Sequence, residues 1–306
     1  MPNVVPDYYN DFKCIADRCQ HNCCIGWEID IDSDSLDFYR SVSGDFGKRL
    51  QANISRDAQP HFILTDNERC PFLNHKNLCD IITELGKNRL CDICRDHPRF
   101  RNELPGRIEE GIGLSCEEAA RIIITKRDKA TLLYAPDTDD EILLLRDRII
   151  EILQNREKDI LGRIKDMFSL LSIPFEEFNI AAWACRLLRL ERLEPIWGDM
   201  LQRISEICAL PDIESFDRYM QDRQSEYEQL LVYIIFRHFA IAPTLSEAKK
   251  RAKFSAFVFF LLRAMGAAMF ADTGKFTTEN QIELARMFSA EIEYSDENLY
   301  LIIDSF

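Results

Sequence analysis

The chain has 306 residues, a net charge of -14 and an apolar content of 46%. This length corresponds to one large or two modest domains, and the apolar content is that of an ordinary globular protein. The acidic balance argues against non-specific binding to nucleic acid, which needs a basic surface, and it suits a partner that presents lysines.

The sequence predicts a cytoplasmic protein without a membrane partner. The N-terminal stretch MPNVVPDYYN lacks the basic and apolar segments of a signal peptide. The most apolar run, Phe254 to Phe270, is short for a membrane span and carries Arg263 in its middle, so we interpret it as a buried core helix. Because a reducing compartment disfavours structural disulfides, clustered cysteines in such a protein are expected to bind metal or to be catalytic.

The cysteines divide the chain. Nine of the 11 fall between Cys14 and Cys116, which predicts a cysteine-rich domain over residues 1–116 and a second domain over residues 117–306. The first domain is irregular, and a core this thin would be fixed by a metal or a cluster. Its predicted elements are short strands at WEIDID, HFIL and RIEEGIGL, and a helix at SDSLDFYRSV capped by Ser33 or Asp32.

The second domain has helical patterns throughout. The predicted fold class is therefore mainly α, with an irregular cysteine-rich domain containing short strands followed by an all-helical body. Cys185 and Cys208 lie in apolar helical contexts and are predicted to be inert core thiols. The first helix signals are a capping box from Ser115 to Glu118, with Ser115 as N-cap, and then an apolar stripe of Ile142, Leu145, Ile149 and Leu153. A helix is predicted to begin at Pro174, and one long helix is predicted over DIESFDRYMQDRQSEYEQLLVYIIFRHFA. A second capping box, from Thr244 to Glu247, precedes the apolar helix, and two short helices follow at TENQIELARMFSA and SDENLYLII.

The cysteine spacing indicates a metal site. On a helix, Cys19 and Cys23 would lie one turn apart on the same face. Cys91 and Cys94 form the short chelating pattern that zinc and iron–sulfur sites both use. Cys116 is predicted at the start of a capped helix, where the helix dipole lowers the pKa of a thiol and favours the thiolate.

The metal itself is less clearly indicated than the site. Structural zinc favours two C-x2-C pairs or histidine partners, and here only His21 and His97 lie near the cysteines. Many thiols with few histidines favour an all-sulfur site, which suits an iron–sulfur cluster, with zinc as the alternative metal. A [4Fe–4S] cluster needs four ligands, so several of the nine cysteines would be bystanders. The candidate ligands are Cys19, Cys23, Cys24, Cys70, Cys79, Cys91, Cys94 and Cys116, with Cys14 next.

Four cysteine-bearing blocks carry a resemblance to a known family. CQHNCCIGWEIDID, CPFLNHKNLCDI, LGKNRLCDICRDHPR and GIGLSCEEAARI together resemble the flagellin lysine-N-methylase family, within a wider group of cysteine-rich domains named for a CxxCxxCC motif. The resemblance covers residues 1–125 by motif, although this chain reads C-x4-C-x3-C-C. The following cysteines of the wider group match Cys70, Cys79 and Cys94. The resemblance implies methyl transfer from S-adenosylmethionine to lysines of flagellin, with a [4Fe–4S] cluster.

The residues themselves identify no catalytic group. GIGLSC contains a lone G-x-G that is more simply a turn than a cofactor loop, and no dinucleotide fingerprint follows a strand. The locally basic stretch from Lys87 to Arg107 could receive the carboxylate of the cofactor at Arg95 and Arg99, could offset the charge of a thiolate-bound cluster, or could form surface ion pairs. A non-enzymatic zinc- or iron-binding interaction module remains the alternative function, and the oligomeric state is not predicted.

Overall fold

The computed structural model describes residues 3–206 and 213–306. Most of these residues are helical, which confirms the predicted mainly-α class with short strands. The α-helices in the described ranges are, in chain order, α1 (Ser33–Ser41), α2 (Gly44–Ala52), α3 (Asp80–Leu85), α4 (Asp92–Asp96), α5 (Glu117–Thr125), α6 (Glu141–Leu153), α7 (Ile160–Leu170), α8 (Ile180–Leu187), α9 (Pro195–Glu206), α10 (Ile213–Tyr219), α11 (Gln224–His238), α12 (Leu245–Thr273), α13 (Thr278–Phe288) and α14 (Asp296–Ile303).

Four short strands form one sheet with the order β2-β3-β1-β4. β1 runs parallel to β3, with Asn3 opposite Ile108, and antiparallel to β4, with Val5 opposite Leu133. The sheet therefore joins the start of the chain to a segment about a hundred residues later. The strands are β1 (Asn3–Pro6), β2 (Arg99–Leu104), β3 (Arg107–Ile112) and β4 (Leu132–Leu133).

The chain forms two compact units. One unit, here called the cysteine unit, is Lys13–Phe100, and the other, the helical unit, combines the segment that ends at Phe12 with Arg101–Phe306. These limits differ from the predicted boundary at residue 116. The reason is the sheet, because β1 pairs with β3 and β4, so the first strand and the RIEEGIGL strand belong to the helical unit.

α12 is the central helix of the helical unit. By length and composition it is the one helix in the described part of the chain that could cross a membrane, and 78% of its most apolar window is buried inside the structure. Phe254, Phe257 and Leu261 are completely buried, so the interpretation as a core helix is confirmed. The helix begins at the predicted cap, where Thr244 accepts from the backbone N–H of Glu247, and ends at Gly274 with a φ of 66°.

Several predicted helix ends are wrong by a few residues. α5 has Cys116, not Ser115, as its N-cap, and no side chain caps it. α8 begins after Asn179, whose side chain accepts from the backbone N–H of Ala182, so Pro174 lies in an irregular segment before the helix. The N-cap Asp32 of α1 is confirmed, since its carboxylate accepts from the backbone N–H of Ser35.

The segment predicted as one long helix is divided into α10 and α11 by a 3-10 turn, Gln221–Arg223. The two short helices at the end of the chain are confirmed as α13 and α14, and a π-helical turn, Ser289–Glu293, follows α13. Cys185 is exposed, which corrects its assignment to the core. Cys208 lies outside the described residues.

Buried charges link the sheet to α6. Glu109 on β3 is completely buried, and its carboxylate lies 2.7 Å from the Arg107 guanidinium and 2.5 Å from that of Arg146. Arg146 therefore shares the inner face of α6 with Leu143, Ile149 and Leu153. The apolar stripe predicted Ile142 and Leu145 on this buried face instead of Leu143 and Arg146. A pattern of apolar residues cannot anticipate a buried arginine.

Candidate metal centre

The cysteine unit has its own apolar core. Tyr39, Phe62 and Phe72 are buried at its centre, and the rings of Phe62 and Phe72 pack edge to face with centroids 5.2 Å apart. Cys70 and Cys91 are buried in this core, and Cys24, Cys79 and Cys94 pack against it. The unit thus places five thiols in or beside an apolar interior, where a thiolate needs a compensating charge.

Short backbone contacts bring the first two cysteine blocks together. The Cys70 N–H donates to the Cys24 carbonyl at 2.8 Å, and within the first block the Trp27 indole N–H donates to the Cys23 carbonyl at 3.0 Å. A bridge between Leu73 and Cys79 closes the second block. Residues 19–25 form turns and bends, so Cys19 and Cys23 do not share a helix face. The WEIDID strand is likewise reduced to one bridge, from Asp30 to His61.

Helix beginnings position the remaining thiols. Cys79 is the N-cap of α3 and Cys91 is the N-cap of α4, with Cys94 one turn later in α4. The Asp32 carboxylate, besides capping α1, accepts from the backbone N–H of Asp92 at 2.9 Å. This contact fixes the start of α4 against the start of α1.

Six thiols influence one another electrostatically. A hydrogen bond between Cys23 and Cys24 raises the pKa of Cys24 and lowers the pKa of Cys23. The same relation holds in the second pair, where the hydrogen bond raises the pKa of Cys94 and lowers the pKa of Cys91. In each pair, one thiol therefore stabilises its neighbour as a thiolate.

Cys70 and Cys79 connect the two pairs. Burial raises the pKa of Cys70 to about 11 and raises the pKa of Cys79. Both are close enough to Cys24 for their charges to raise its pKa further, and Cys94 is affected in the same way by Cys24 and Cys70. The structure thus brings together six of the nine predicted ligands, which are Cys23, Cys24, Cys70, Cys79, Cys91 and Cys94.

The other three candidate ligands have different surroundings. Cys14 is exposed. The Cys19 thiol donates to the His21 carbonyl at 3.1 Å. Cys116 is half-buried and belongs to the helical unit.

The thiols are spaced in pairs. Four thiolates around one zinc ion, at about 2.3 Å from it, would lie about 4 Å from one another. In the described residues, no three thiol sulfurs lie within 4.8 Å of one another. The thiols form two close pairs, with Cys70 and Cys79 near them, and both zinc and iron–sulfur sites are built from such thiolates. Burial lowers the pKa of His97 to about 4, so this ring is neutral at physiological pH.

The two arginines predicted to bind the cofactor differ in their contacts. The Arg95 guanidinium lies 2.7 Å from the Asp92 carboxylate and 3.0 Å from that of Asp96, so it is already bound by carboxylates of its own helix. Arg99 is exposed at the start of β2.

A second polar group, which the sequence did not indicate, lies in the helical unit. The His238 ring contacts the Glu293 carboxylate at 2.6 Å, and the Tyr233 hydroxyl donates to the same carboxylate at 3.3 Å. The Tyr233 hydroxyl also accepts from the backbone N–H of Leu114, in the GIGLSC segment. Glu293 ends the π-helical turn, and such turns are frequent at functional sites.

Comparison with known proteins supports the family from the opposite end of the chain. Residues 178–306 match the family described as FliB lysine N-methylase C-terminal domain. This part of the chain is similar to the lysine N-methylase family. The predicted resemblance, which was carried by the N-terminal cysteine blocks, is therefore confirmed by residues that carry none of those blocks.

Curated relatives agree with this family. The lysine-N-methylases of Salmonella typhimurium and Salmonella choleraesuis are each 24% identical over 141 residues, which cover 42% of this chain and 33% of the relative. A flagellar biosynthetic protein FliU of Salmonella muenchen is also 24% identical over 141 residues, which cover 42% of this chain and 79% of that protein. The matched region thus spans about a third of the length of the lysine-N-methylases. No solved structure matches the chain.

Proposed function

We propose that this chain methylates lysine side chains of flagellin, with S-adenosylmethionine as the methyl donor, in the cytoplasm. The observation that carries the proposal is the match of residues 178–306 to the lysine N-methylase C-terminal domain. The names of the relatives, lysine-N-methylase and flagellar biosynthetic protein, support lysine methylation and a flagellar substrate.

The reaction sets three requirements. The lone pair of a neutral lysine ε-amine forms a bond to the methyl carbon while the carbon–sulfur bond breaks, the sulfonium leaves as a neutral thioether, and the methylated ammonium then releases a proton. The amine must be deprotonated, in line with the methyl group, and shielded from water. The net charge of -14 attracts a lysine-bearing surface, and this attraction weakens as salt is added.

The cysteine unit is the proposed metal centre. The ligands of a [4Fe–4S] cluster would come from Cys23, Cys24, Cys70, Cys79, Cys91 and Cys94, since these thiols lie together and are paired so that one of each pair is readily deprotonated. When bound, the cluster would supply positive charge for buried thiolates and would fix the fold of the unit. Zinc is the alternative metal, since Cys91 and Cys94 form the short chelating pattern that zinc sites also use.

The activity is tested with the anaerobically purified chain, flagellin and S-adenosylmethionine that carries a deuterated methyl group. Mass spectrometry of flagellin peptides is expected to show deuterated methyl groups on lysines. Flagellin with acetylated lysines serves as the matched control and should gain none. If no label reaches flagellin although the chain contains iron and sulfide, methyl transfer to flagellin is refuted, and the metal-binding interaction module becomes the better interpretation.

A further inference from the structure

The helical unit contains a pocket with aromatic walls. Its volume is about 230 Å³. Residues of α7, α10 and α12 line it, together with the start of α8 and the segment that precedes α8. Three phenylalanine rings form the apolar wall: the Phe178 and Phe260 centroids lie 5.5 Å apart, and the Phe175 and Phe260 centroids lie 6.4 Å apart. Ligand pockets for whole drug-sized molecules have volumes of about 300–1,000 Å³, so this pocket suits a fragment of such a ligand.

Three charged side chains line the same pocket: Lys165, Glu177 and Arg263. Arg263 is neutralised by Asp217, because its Nε donates to one carboxylate oxygen at 2.7 Å and an Nη donates to the other. Lys165 and Glu177 form no ion pair with each other or with another described residue, and the Lys165 ammonium lies 5.2 Å from the centre of the Phe175 ring. The pocket therefore offers one available cation, one available anion and aromatic faces.

These features match the amino-acid end of a sulfonium compound. An α-carboxylate would pair with Lys165 and an α-ammonium with Glu177, and each such charge-assisted contact is stronger than a neutral one. A sulfonium is a cation with apolar substituents, which aromatic faces attract. A nucleic acid or an anionic lipid head group would meet the unpaired Glu177 carboxylate and is disfavoured.

We infer that this pocket binds the methionine portion of S-adenosylmethionine, with Lys165 at the carboxylate, Glu177 at the ammonium and the phenylalanine rings beside the sulfonium. The inference rests on the proposed function, which supplies the methyl donor. Phe178 and Phe260 lie within residues 178–306, which match the lysine N-methylase domain, whereas Lys165 and Glu177 lie just before them.

Two ligands separate this inference from a general loss of binding. S-adenosylhomocysteine carries the amino-acid end, whereas 5′-methylthioadenosine has the same nucleoside and a thioether but no amino acid. Calorimetry on the full chain should show that Glu177→Gln and Lys165→Met each weaken S-adenosylhomocysteine binding about tenfold, as expected for the loss of one charged contact at an exposed side chain. Binding of 5′-methylthioadenosine should change less than twofold in both variants.

Glu176→Gln and Lys275→Met are the matched controls, because both residues are exposed, as Lys165 and Glu177 are, but neither lines the pocket. They should bind both ligands as the unmodified chain does. If Glu177→Gln and Lys165→Met also bind S-adenosylhomocysteine normally, the pocket assignment is refuted while the proposed methyl transfer stands. Weakening in Arg95→Ala or Arg99→Ala alone would refute it in favour of the basic stretch. If the unmodified chain binds neither ligand and does not bind S-adenosylmethionine, the proposed methyl donor itself is refuted.

Discussion

The buried carboxylate of Glu293 should make the helical unit sensitive to acid. Burial alone would raise its pKa, but the charge of Arg237 and the hydrogen bond from His238 lower it to about 2, from an ordinary value of 4.5. A carboxyl whose pKa is lower in the folded state stabilises the fold above pH 4.5, and this contribution is lost as the pH falls from 4.5 towards 2. At about 1.4 kcal/mol per pH unit, the contribution is about 3 kcal/mol of unfolding free energy.

The substitution Glu293→Gln removes this charge and keeps the shape of the side chain. We expect it to lower the unfolding free energy at neutral pH by about 3 kcal/mol, because Arg237 loses its buried counter-charge. Between pH 5 and about pH 3, the variant should lose less stability than the unmodified chain, since the group that takes up the proton is gone.

Urea unfolding followed by far-ultraviolet circular dichroism at a series of pH values measures both effects. Glu297→Gln is the control, because this exposed carboxylate lies four residues later in the first turn of α14. It should follow the unmodified chain throughout. If Glu293→Gln loses stability in parallel with the unmodified chain as the pH falls, the argument from a buried, ionised Glu293 is wrong.

Three further predictions concern the metal centre and the buried charges. Cys24→Ser should lower the iron and sulfide content after anaerobic reconstitution, whereas the control Cys185→Ser, in the helical unit, should not. Zinc at one equivalent without iron would contradict the cluster. Arg146→Met should lower the unfolding free energy by about 3 kcal/mol, because it leaves the buried Glu109 carboxylate with one partner. The control substitution Arg148→Met, at an exposed residue, should change the unfolding free energy little. Removal of the metal should expose Lys13–Phe100 to protease while the helical unit resists, and uniform cleavage of both units would contradict this.

The sequence predicted the helical class and most helices because their signals are local. The Thr244 cap, the apolar content of α12 and the short helices α13 and α14 depend on neighbours within a few residues. The errors arose where distant contacts decide. Arg146 lies on the buried face of α6 because Glu109, 37 residues earlier, neutralises it. The irregular segment after Pro174 has no local signal that distinguishes it from a helix.

The sequence does not show which of the candidate cysteines lie together. The spacing pattern ranks Cys19 with Cys23 and places Cys14 next, whereas the fold brings Cys23 beside Cys24, whose carbonyl accepts from the Cys70 N–H. The pocket around Lys165 and Glu177 was not predictable at all. Its walls come from helices almost a hundred residues apart, and isolated phenylalanines in apolar helices carry no sign of a shared pocket.

The family match and the six grouped thiols lie in different compact units of the chain. The cysteine unit is inserted between β1 and the hairpin of β2 and β3, so the helical unit forms its sheet from segments on both sides of it. The family match lies entirely within the helical unit, and the six grouped thiols lie entirely within the inserted one. Lysine methylation and cluster binding are therefore separable hypotheses: a variant that loses the metal can still be tested for binding of the methyl donor. If donor binding persists without the metal, the cluster acts in folding or in substrate positioning, and the helical unit holds the donor by itself.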